Sequence, residues 1–409
     1  MNLIKNGVLL TKRGFLVTMI LYFTFFTWYY IFSILVPRYV VGEFTENYLL
    51  VNASFNFVIV ITLLLASSFI HGSNELRVIY ESSIFTSIVT ILLLLTSSMI
   101  LRLMIFFVAG IFFSIGQLAC FTYFWNLTVP EGRGRAGGLI GFLSLPLFYS
   151  VTFLMPETPD FSGIVMLSVI LSLGPLVIKL LRPEKKEMLT EKKDEREYYP
   201  EKRTILLYSI PWVLFSLINM TLAKNVSINV LQQFSSSFYL SLIGLQVIAA
   251  VFGALGGGII ADFFGRRLPL AFSLTLYGIS SALAGLVKTY AMFCFVYVAN
   301  GLNWGILLTL YSLVVWGDLA NKESCAKRYS IGLMIFYLAQ GIGSLLTNQI
   351  SQIPLLVSSL ASCFLIFLSN IPLILAPELL SPNFREKIRL RLHMDAVRKI
   401  GRKLSQNQG

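Results

Sequence analysis

The apolar sequence near residue 300 carries side chains that could bind a solute. Asn300, Asn303 and Trp304 are spaced three and four residues apart, so a helix would present them on one face. Two amides and an indole ring together offer hydrogen bonds and a flat apolar surface. Asparagines on a membrane helix can instead bond to neighbouring helices, and the sequence leaves both interpretations open. The first interpretation predicts a face that lines a binding cavity.

A charged segment, GGGIIADFFGRRLP, interrupts the apolar sequence over residues 256–269. Asp262 and the paired Arg266 and Arg267 could form ion pairs, while the glycines permit a tight turn and close helix contacts. One interpretation is a plain loop whose arginines only hold it on the cytoplasmic side of a membrane. The other is a latch that fastens this loop to neighbouring helices, and the aspartate among glycines favours it.

The composition is that of a membrane protein with several helices. Of the 409 residues, 56% are hydrophobic and 13% are charged, whereas soluble domains contain about 25% charged residues. The four cysteines are widely separated, and the two histidines, His71 and His393, lie far apart. The sequence therefore predicts no metal site, no cofactor and no catalytic site, and it argues against an enzyme.

Hydrophobic segments long enough to cross a membrane recur along the chain. A spanning helix needs about 20 apolar residues, and by that measure the sequence contains about twelve spans. They are predicted at 14–37, 47–70, 78–100, 101–126, 137–155, 162–181, 204–230, 238–261, 269–287, 289–316, 329–350 and 353–376. Arg102 is expected to mark the turn between the third and fourth spans.

Two charged segments divide this series of spans. Residues 182–203 contain eight basic and seven acidic side chains, so they cannot cross a bilayer and form a solvated linker. This linker separates a bundle over 1–181 from a second bundle over 204–380. Residues 381–409 form a basic tail, which is either solvated or an interfacial helix on anionic headgroups.

The basic residues are distributed asymmetrically between the two ends of the predicted spans. With the N-terminus inside, the outer connections hold only Arg38, Arg102, Lys224 and Lys288 of the 32 lysines and arginines. Cytoplasmic loops are enriched in these residues, so the pattern predicts an even number of spans in the cell membrane, with both termini cytoplasmic. The net charge of +12 then needs no nucleic-acid partner to account for it.

The charged segment is similar to a family signature. The pattern G-x-x-A-D-x-x-G-R-R at 258–267 resembles the G-x-L-A-D-R-x-G-R-R loop of the major facilitator superfamily. VPEGRGRAGG at 129–138 and GDLANKESCAKRYSIG at 317–332 resemble, more weakly, that family's other basic linkers. The resemblance implies an all-α polytopic membrane protein with two six-helix bundles related by a pseudo-two-fold axis. The latch residues that it implies are Gly258, Asp262, Gly265, Arg266, Arg267, Arg133, Arg135 and Arg328.

The sequence departs from the family pattern at two places. Phe263 stands where the family usually has a cation beside the acid. The corresponding first-half loop, SSFIHGSNELR at 67–77, keeps Arg77 but has no aspartate at the expected position. We therefore expect a latch in the second half of the chain only.

The family architecture implies a central cavity surrounded by spans one, four, seven and ten. Polar and aromatic side chains near the middle of these predicted spans are Trp28, Gln117, Trp212, Asn219, Asn300, Asn303 and Trp304. No aspartate or glutamate lies deep in a predicted span, and proton-coupled carriers usually need such a group. A facilitator or an exchanger without proton coupling is therefore as plausible as a symporter.

Together these features predict a secondary active or facilitative transporter of a small organic solute. Alternating access would expose a central site between the two bundles to each side of the membrane in turn. The alternative is a non-transporting membrane receptor or scaffold of the same fold, which the eroded first-half loop suggests. The expected partners are the solute and the lipid bilayer, and a monomer suffices for this architecture.

Overall fold

The structure is a computed structural model that describes residues 12–41, 46–70, 74–154, 161–181, 201–221, 223–321 and 323–380. Nearly all of these residues are helical, and the described ranges contain no β-strand. Most of the predicted charged linker and the whole basic tail at 381–409 lie outside the described residues.

The helices follow the chain in two series. The first is α1 Lys12–Val41, α2 Glu46–Ala66, α3 Glu75–Leu95, α4 Met99–Leu127, α5 Pro130–Leu154 and α6 Phe161–Leu181. The second begins with α7 Lys202–Thr221, α8 Ala223–Gln233, α9 Ser236–Phe264, α10 Arg267–Leu286 and α11 Tyr290–Thr309. A π-helix at Leu310–Val314 joins α11 to α12 at Val315–Asp318, and α13 Cys325–Leu345, α14 Thr347–Ser351 and α15 Leu355–Leu375 follow.

Eight helical segments within the described residues are long and apolar enough to cross a membrane. They are Asn47–Ala66, Glu75–Leu93, Met99–Leu127, Lys202–Gln233, Ser237–Phe264, Arg267–Leu286, Tyr290–Asp318 and Leu355–Leu375. Large apolar side chains such as Phe69, Phe364 and Leu95 are exposed on the outside of the molecule, as a lipid solvent allows. The prediction of an all-α polytopic membrane protein is confirmed, and the total of about twelve spans stays a prediction.

The turn between α3 and α4 comes earlier than the sequence indicated. Helix α3 ends at Leu95, and the break lies at residues 96–98 rather than at Arg102, which sits inside the first turn of α4. Arg102 Nε donates a hydrogen bond to the Thr96 carbonyl at 2.7 Å. An arginine that satisfies a carbonyl left free at a helix end stabilises that end. Arg102 therefore stabilises the turn from its position in the first turn of α4.

The basic segments between predicted spans are mostly helical. Helix α5 begins at Pro130, so the segment 129–138 forms its first turns. Proline is favoured at the first helical position, where its missing N–H costs nothing. Helix α9 likewise continues through Asp262 to Phe264 before the chain turns at Gly265. The charged side chains of these segments therefore project from helix ends instead of from flexible loops.

The two series of helices meet along two contacts. Helix α5 packs against α9, and α2 packs against α13, while most other contacts stay within α1–α6 or within α7–α15. The end of the molecule at which α5 begins and α9 ends carries Arg133, Arg135, Arg266 and Arg267, and we call it the arginine-rich end. Helices α4 and α11 begin at the opposite end and run toward it.

Candidate functional site

Glycines bring α5 and α9 into direct backbone contact at the arginine-rich end. Gly134 and Gly138 on α5 face Ala254 and Gly258 on α9. On each helix the two small residues are four positions apart. A Cβ added at Gly258 would overlap the Gly134 carbonyl oxygen, and one at Gly138 would lie 2.8 Å from the Ala254 carbonyl oxygen. Small residues at this spacing let two membrane helices approach closely. The close approach places charged groups from both helices beside each other.

Asp262 on α9 accepts hydrogen bonds from four donors, three of them at the start of α5. Its carboxylate accepts the backbone N–H of Gly134 at 2.9 Å and that of Arg135 at 2.8 Å. Arg135 Nε adds a bond of 3.0 Å, and an Arg266 guanidinium nitrogen adds another at 2.5 Å. The Asp262 side chain is 1% exposed. Charge-assisted bonds to a buried carboxylate are about twice as strong as neutral ones, so Asp262 fastens the first series of helices to the second.

Asp318, at the end of α12, extends the network with a second carboxylate. It accepts from Arg266 Nε at 2.7 Å and from a guanidinium nitrogen of Arg133 on α5. Arg266 also donates to the carbonyl of Pro130, the first residue of α5. Arg133, Arg266 and Asp318 are each at most 2% exposed at their side chains. Arg266 thus joins both acids to the helix on the opposite side of the interface.

The turn between α9 and α10 is held by Glu378, which follows α15. Gly265 has φ of 101° and ψ of 166°, a conformation open essentially to glycine alone. The Glu378 carboxylate accepts the Arg266 N–H at 2.7 Å and the Arg267 N–H at 3.3 Å. These amides begin α10, where an acidic side chain is favourable. The segment that follows the last helix therefore stabilises the same turn that carries Arg266.

Arg266 remains charged inside this network. Burial alone lowers the pKa of its guanidinium, but Asp318 and Asp262 outweigh burial and raise that pKa above its ordinary value. A buried charge is costly unless it is paired and hydrogen-bonded. Both conditions are met here, so the network is stable while the interface is closed. Breaking only some of its bonds would leave a buried charge unpaired, which is unfavourable.

A small enclosed cavity lies farther along the interface, between aromatic side chains. It leaves about 10 Å³ in which the centre of a water molecule can lie, the room of roughly one water. The lining residues are Phe26, Trp212, Leu308, Tyr311, Ser312, Trp316, Tyr329, Gly332, Leu333, Phe336 and Tyr337. Phe26 comes from α1 and the others from the second series, so the cavity lies between the two series.

Comparisons with known proteins agree with this architecture. Residues 184–348 match the sequence model of a family described as sugar (and other) transporter. A bacterial homologue of the iron transporter ferroportin, solved in an outward-facing state with soaked iron, is 13% identical. The alignment covers 89% of this chain and 99% of that chain, with a TM-score of 0.65.

A second solved structure is similar over the same extent. The human organic anion transporter MFSD10 (TETRAN) is 12% identical, with a TM-score of 0.70 over 88% of this chain and 99% of that chain. The chain has the major facilitator fold. The resemblance drawn from the loop signature is confirmed at the level of the fold. No curated protein matches the sequence.

The major facilitator signature residues differ in what they contact. Gly258, Asp262, Gly265, Arg266, Arg133 and Arg135 take part in the helix contact or the ion-pair network described above. Arg267 donates through its side chain to the Ile374 carbonyl on α15. Arg328 on α13 lies outside the network, and its Nε is buried without a hydrogen-bond partner among the described residues. The role of each residue in gating stays a prediction.

The first-half loop of the major facilitator pattern holds no comparable network in the described residues. Arg77 pairs with Glu81 on its own helix at 2.6 Å, and their side chains are 79% and 48% exposed. Glu75, in the first turn of α3, is a buried carboxylate that the sequence analysis did not single out, and it accepts from Asn126 Nδ2 on α4. The family pattern has an aspartate in this loop and does not include a glutamate at the position of Glu75.

Of the predicted cavity residues, Trp212 lines the enclosed cavity, and Gln117 forms a bond between the two series. Gln117 on α4 accepts the Tyr337 hydroxyl of α13 at 2.7 Å. Trp212 Nε1 donates to the Gly332 carbonyl at 2.9 Å. Trp28 is buried among aromatic rings of the first series, where it stacks on Phe32 and Phe113 with centroids 4.1 and 4.8 Å away.

The remaining predicted cavity residues bond within the second series. Asn300 accepts from Ser280 at 3.1 Å and Asn303 accepts from Ser273 at 3.2 Å, so both amides hold α11 to α10. Trp304 Nε1 donates to Asn219 on α7 at 3.0 Å. In this closed arrangement the asparagines make the helix-to-helix bonds that the sequence left open as the alternative. Their part in solute binding stays a prediction.

Sequence reasoning missed the acids and aromatic residues that complete both sites. The weakly matching segment at 317–332 contains Asp318 without singling it out, and Glu378 lies 112 positions from Arg266 in the chain. Tyr311, Trp316 and Phe336 line the cavity, but aromatic residues in apolar spans are ordinary core residues. Arg266 offered the one usable signal, because a buried arginine needs acids from elsewhere in the chain.

Proposed function

We propose that the chain is a secondary transporter that moves a small organic solute by alternating access. The observation that carries this proposal is the buried ion-pair network, in which Arg133 of α5 pairs with Asp318 and Arg135 of α5 pairs with Asp262, while Arg266 of the second series pairs with both acids. The network closes one end of the interface between the two series. A solute site between the series can open toward that end only when these bonds break.

The orientation of this gate follows from the distribution of charge. Loops rich in lysine and arginine face the cytoplasm, so the arginine-rich end is the cytoplasmic end in this proposal. Both chain termini are then cytoplasmic as well. The closed network represents a state in which the cytoplasmic path is shut. Rocking of α1–α6 against α7–α15 would exchange this closure for closure at the opposite end.

The cavity between the two series supports an uncharged solute. The described residues that line it include tryptophans, tyrosines and phenylalanines but no acidic or basic side chain. The similar proteins carry iron, organic anions or sugars according to their descriptions. A metal ion or an anion would meet no opposite charge in this lining, so a neutral organic solute fits it better.

A receptor or scaffold of the same fold is the second candidate. It is favoured by the first-half loop, where Arg77 pairs with Glu81 on its own exposed helix face rather than with the second series. A protein without a working first-half gate could bind a ligand without completing a transport cycle. This alternative keeps solute binding but predicts no solute flux.

Proteoliposome counterflow of a panel of neutral and charged organic solutes separates the two candidates. Transport predicts uptake of at least one solute, and Asp262→Asn is expected to lower that uptake at least tenfold because the gate no longer closes. Arg77→Gln is the matched control, since it removes an exposed charge outside the network. Solute binding without flux across the whole panel would replace the transporter with the receptor.

A further inference from the structure

Two residues that line the cavity between the two series carry hydrogen-bonding groups without a partner among the described residues. The Tyr311 hydroxyl and Trp316 Nε1 are buried and have no hydrogen-bond partner among the described residues. Both side chains line the cavity and are 1% exposed. An unpaired buried donor destabilises the folded state. A solute that brings acceptors to these donors would remove that destabilisation, whereas a wholly apolar solute would not.

The other polar groups of the cavity are already occupied. The Tyr329 hydroxyl donates to the Leu313 carbonyl at 2.9 Å, and the Tyr337 hydroxyl donates to Gln117 at 2.7 Å. Ser312 donates to the Leu308 carbonyl at 2.5 Å. The cavity therefore offers few free partners. A polyhydroxylated solute would leave most of its own hydroxyls unpaired on entry, and each such group is costly to bury.

The aromatic side chains present flat surfaces to the cavity. Trp212 and Tyr311 stack with centroids 4.7 Å apart and planes 16° from parallel. Phe336 lies nearly parallel to Trp212, with centroids 6.3 Å apart and an interplanar angle of 13°. Stacked rings attract a further flat ring and gain little from a bulky saturated one. The surfaces therefore favour a planar solute.

The π-helix explains why both unused donors reach the same cavity. Tyr311 and Trp316 are five residues apart, which on an α-helix would place them about 140° apart around the axis. The chain winds as a π-helix over Leu310–Val314, where hydrogen bonds join residues five apart, and Trp316 follows in α12 with its ring centroid 6.4 Å from that of Tyr311. Single-turn π-helices of this kind are frequent at functional sites. The local winding thus gathers two donors that regular winding would separate.

We propose that this cavity binds a neutral, planar solute whose ring system carries hydrogen-bond acceptors such as carbonyl oxygens or ring nitrogens. The assignment rests on the proposed transport function and names its substrate class. Stacking on Trp212 fixes the plane of the solute, and the donors of Tyr311 and Trp316 fix its orientation. Because the closed cavity has room for about one water, the solute enters when the two series separate.

Isothermal titration of the purified full-length chain tests this class with matched compounds. Nicotinamide and nicotinate share one ring and differ in charge, and cyclohexanecarboxamide keeps the amide but loses planarity. Caffeine and glucose extend the set to a larger planar acceptor and to a polyol. The proposal predicts that nicotinamide or caffeine binds at least tenfold more tightly than the other three. Equal or tighter binding of nicotinate, cyclohexanecarboxamide or glucose would overturn it.

Two variants test the donors themselves. Tyr311→Phe removes only a hydroxyl, and Trp316→Phe removes the indole N–H together with part of the ring, and each should weaken binding of the planar compound about tenfold. Tyr290→Phe makes the same change on α11 at a site that is 59% exposed, outside the cavity, and should leave binding unchanged. Unchanged binding in both cavity variants would also overturn the assignment.

Flux measurements distinguish failure of this assignment from failure of the transport proposal. Uptake of glucose or nicotinate without binding of nicotinamide or caffeine would remove the planar substrate class and leave transport intact. Binding of nicotinamide or caffeine that is lost in Tyr311→Phe, without flux of any compound, would remove transport and leave the site intact. Absence of binding by both planar compounds overturns the assignment whatever the flux.

Discussion

The Gly258 α-carbon on α9 faces the Gly134 carbonyl on α5 so closely that no side chain fits between them. This contact is the geometric basis of the arginine-rich end, because it brings the Asp262 carboxylate within reach of the Gly134 and Arg135 amides. A gate that depends on backbone contact is sensitive to a single methyl group. The following predictions use that sensitivity.

Gly258→Ala is expected to weaken the closed state. Its Cβ would overlap backbone atoms of α5, which cannot move aside as a flexible side chain could. Overpacking of this kind costs about 1–3 kcal/mol, so the variant should unfold at a lower temperature. A cysteine introduced at the arginine-rich end should also react faster with a thiol reagent. Gly256→Ala is the control, because a Cβ there meets nothing within 4 Å, and alanine in a helix gains about 0.5–1 kcal/mol. Equal thermal stability of the two variants would contradict the proposed contact.

Removing both charges of the Arg133–Asp318 pair should be less damaging than the sum of removing each charge alone. Both side chains are 2% exposed, and leaving one partner of a buried pair costs about 3–5 kcal/mol. Arg133→Met and Asp318→Asn should each lower thermal stability strongly, and the double variant should be less destabilised than the sum. A double-mutant cycle on thermal unfolding measures this coupling. Strict additivity would show that the pair does not act as a unit.

Gly265→Ala should destabilise the turn between α9 and α10 for two separable reasons. The backbone conformation at φ of 101° is strained for alanine, at about 1–3 kcal/mol, and the new Cβ would overlap the Glu378 carboxylate. Adding Glu378→Ala to Gly265→Ala removes the overlap but keeps the strain. Thermal unfolding of the two single variants and the double variant separates these contributions. A single Gly265→Ala variant as stable as the parent chain would disprove the turn geometry.

Gly332→Ala is expected to displace the Trp316 ring at the cavity. The added Cβ would overlap three atoms of the indole ring, including Nε1. In a variant that keeps Trp316 as its single tryptophan, the fluorescence emission should shift toward longer wavelength as the ring moves to a more polar environment. Gly244→Ala is the control, since no atom lies within 4 Å of its Cβ. An unshifted spectrum in Gly332→Ala would contradict the packing of Trp316 on α13.

The sequence was sufficient to predict the order of helices and the charged turn after α9. Both depend on local patterns, namely apolar length for the spans and the spacing of Asp262, Gly265 and Arg266 for the turn. The positions of the helix ends were less predictable, because α5 and α9 carry their charges inside helices. A charge at a helix end is satisfied by a distant partner, which local sequence does not reveal.

The cavity could not be predicted from helical periodicity. Asn300 and Asn303 are predicted to face a cavity, and in this structure they accept hydrogen bonds from Ser280 and Ser273 of α10. Beyond Thr309 the π-helix changes the rotation of the chain, so the 3.6-residue period no longer assigns Tyr311 and Trp316 to a face. Long-range packing and local winding, rather than residue type, decide which side chains line the cavity.

Distances between spin labels at the two ends of the molecule test the central claim, which is that the two series of helices rock about a central site. In a background lacking the four native cysteines, one pair of labels occupies Arg77 and Lys327 at the arginine-rich end. A second pair occupies Met99 and Tyr290, where α4 and α11 begin. Alternating access predicts that Asp262→Asn lengthens the first distance and shortens the second. Two distances that stay fixed, or that lengthen together, while solute crosses the membrane would contradict the account.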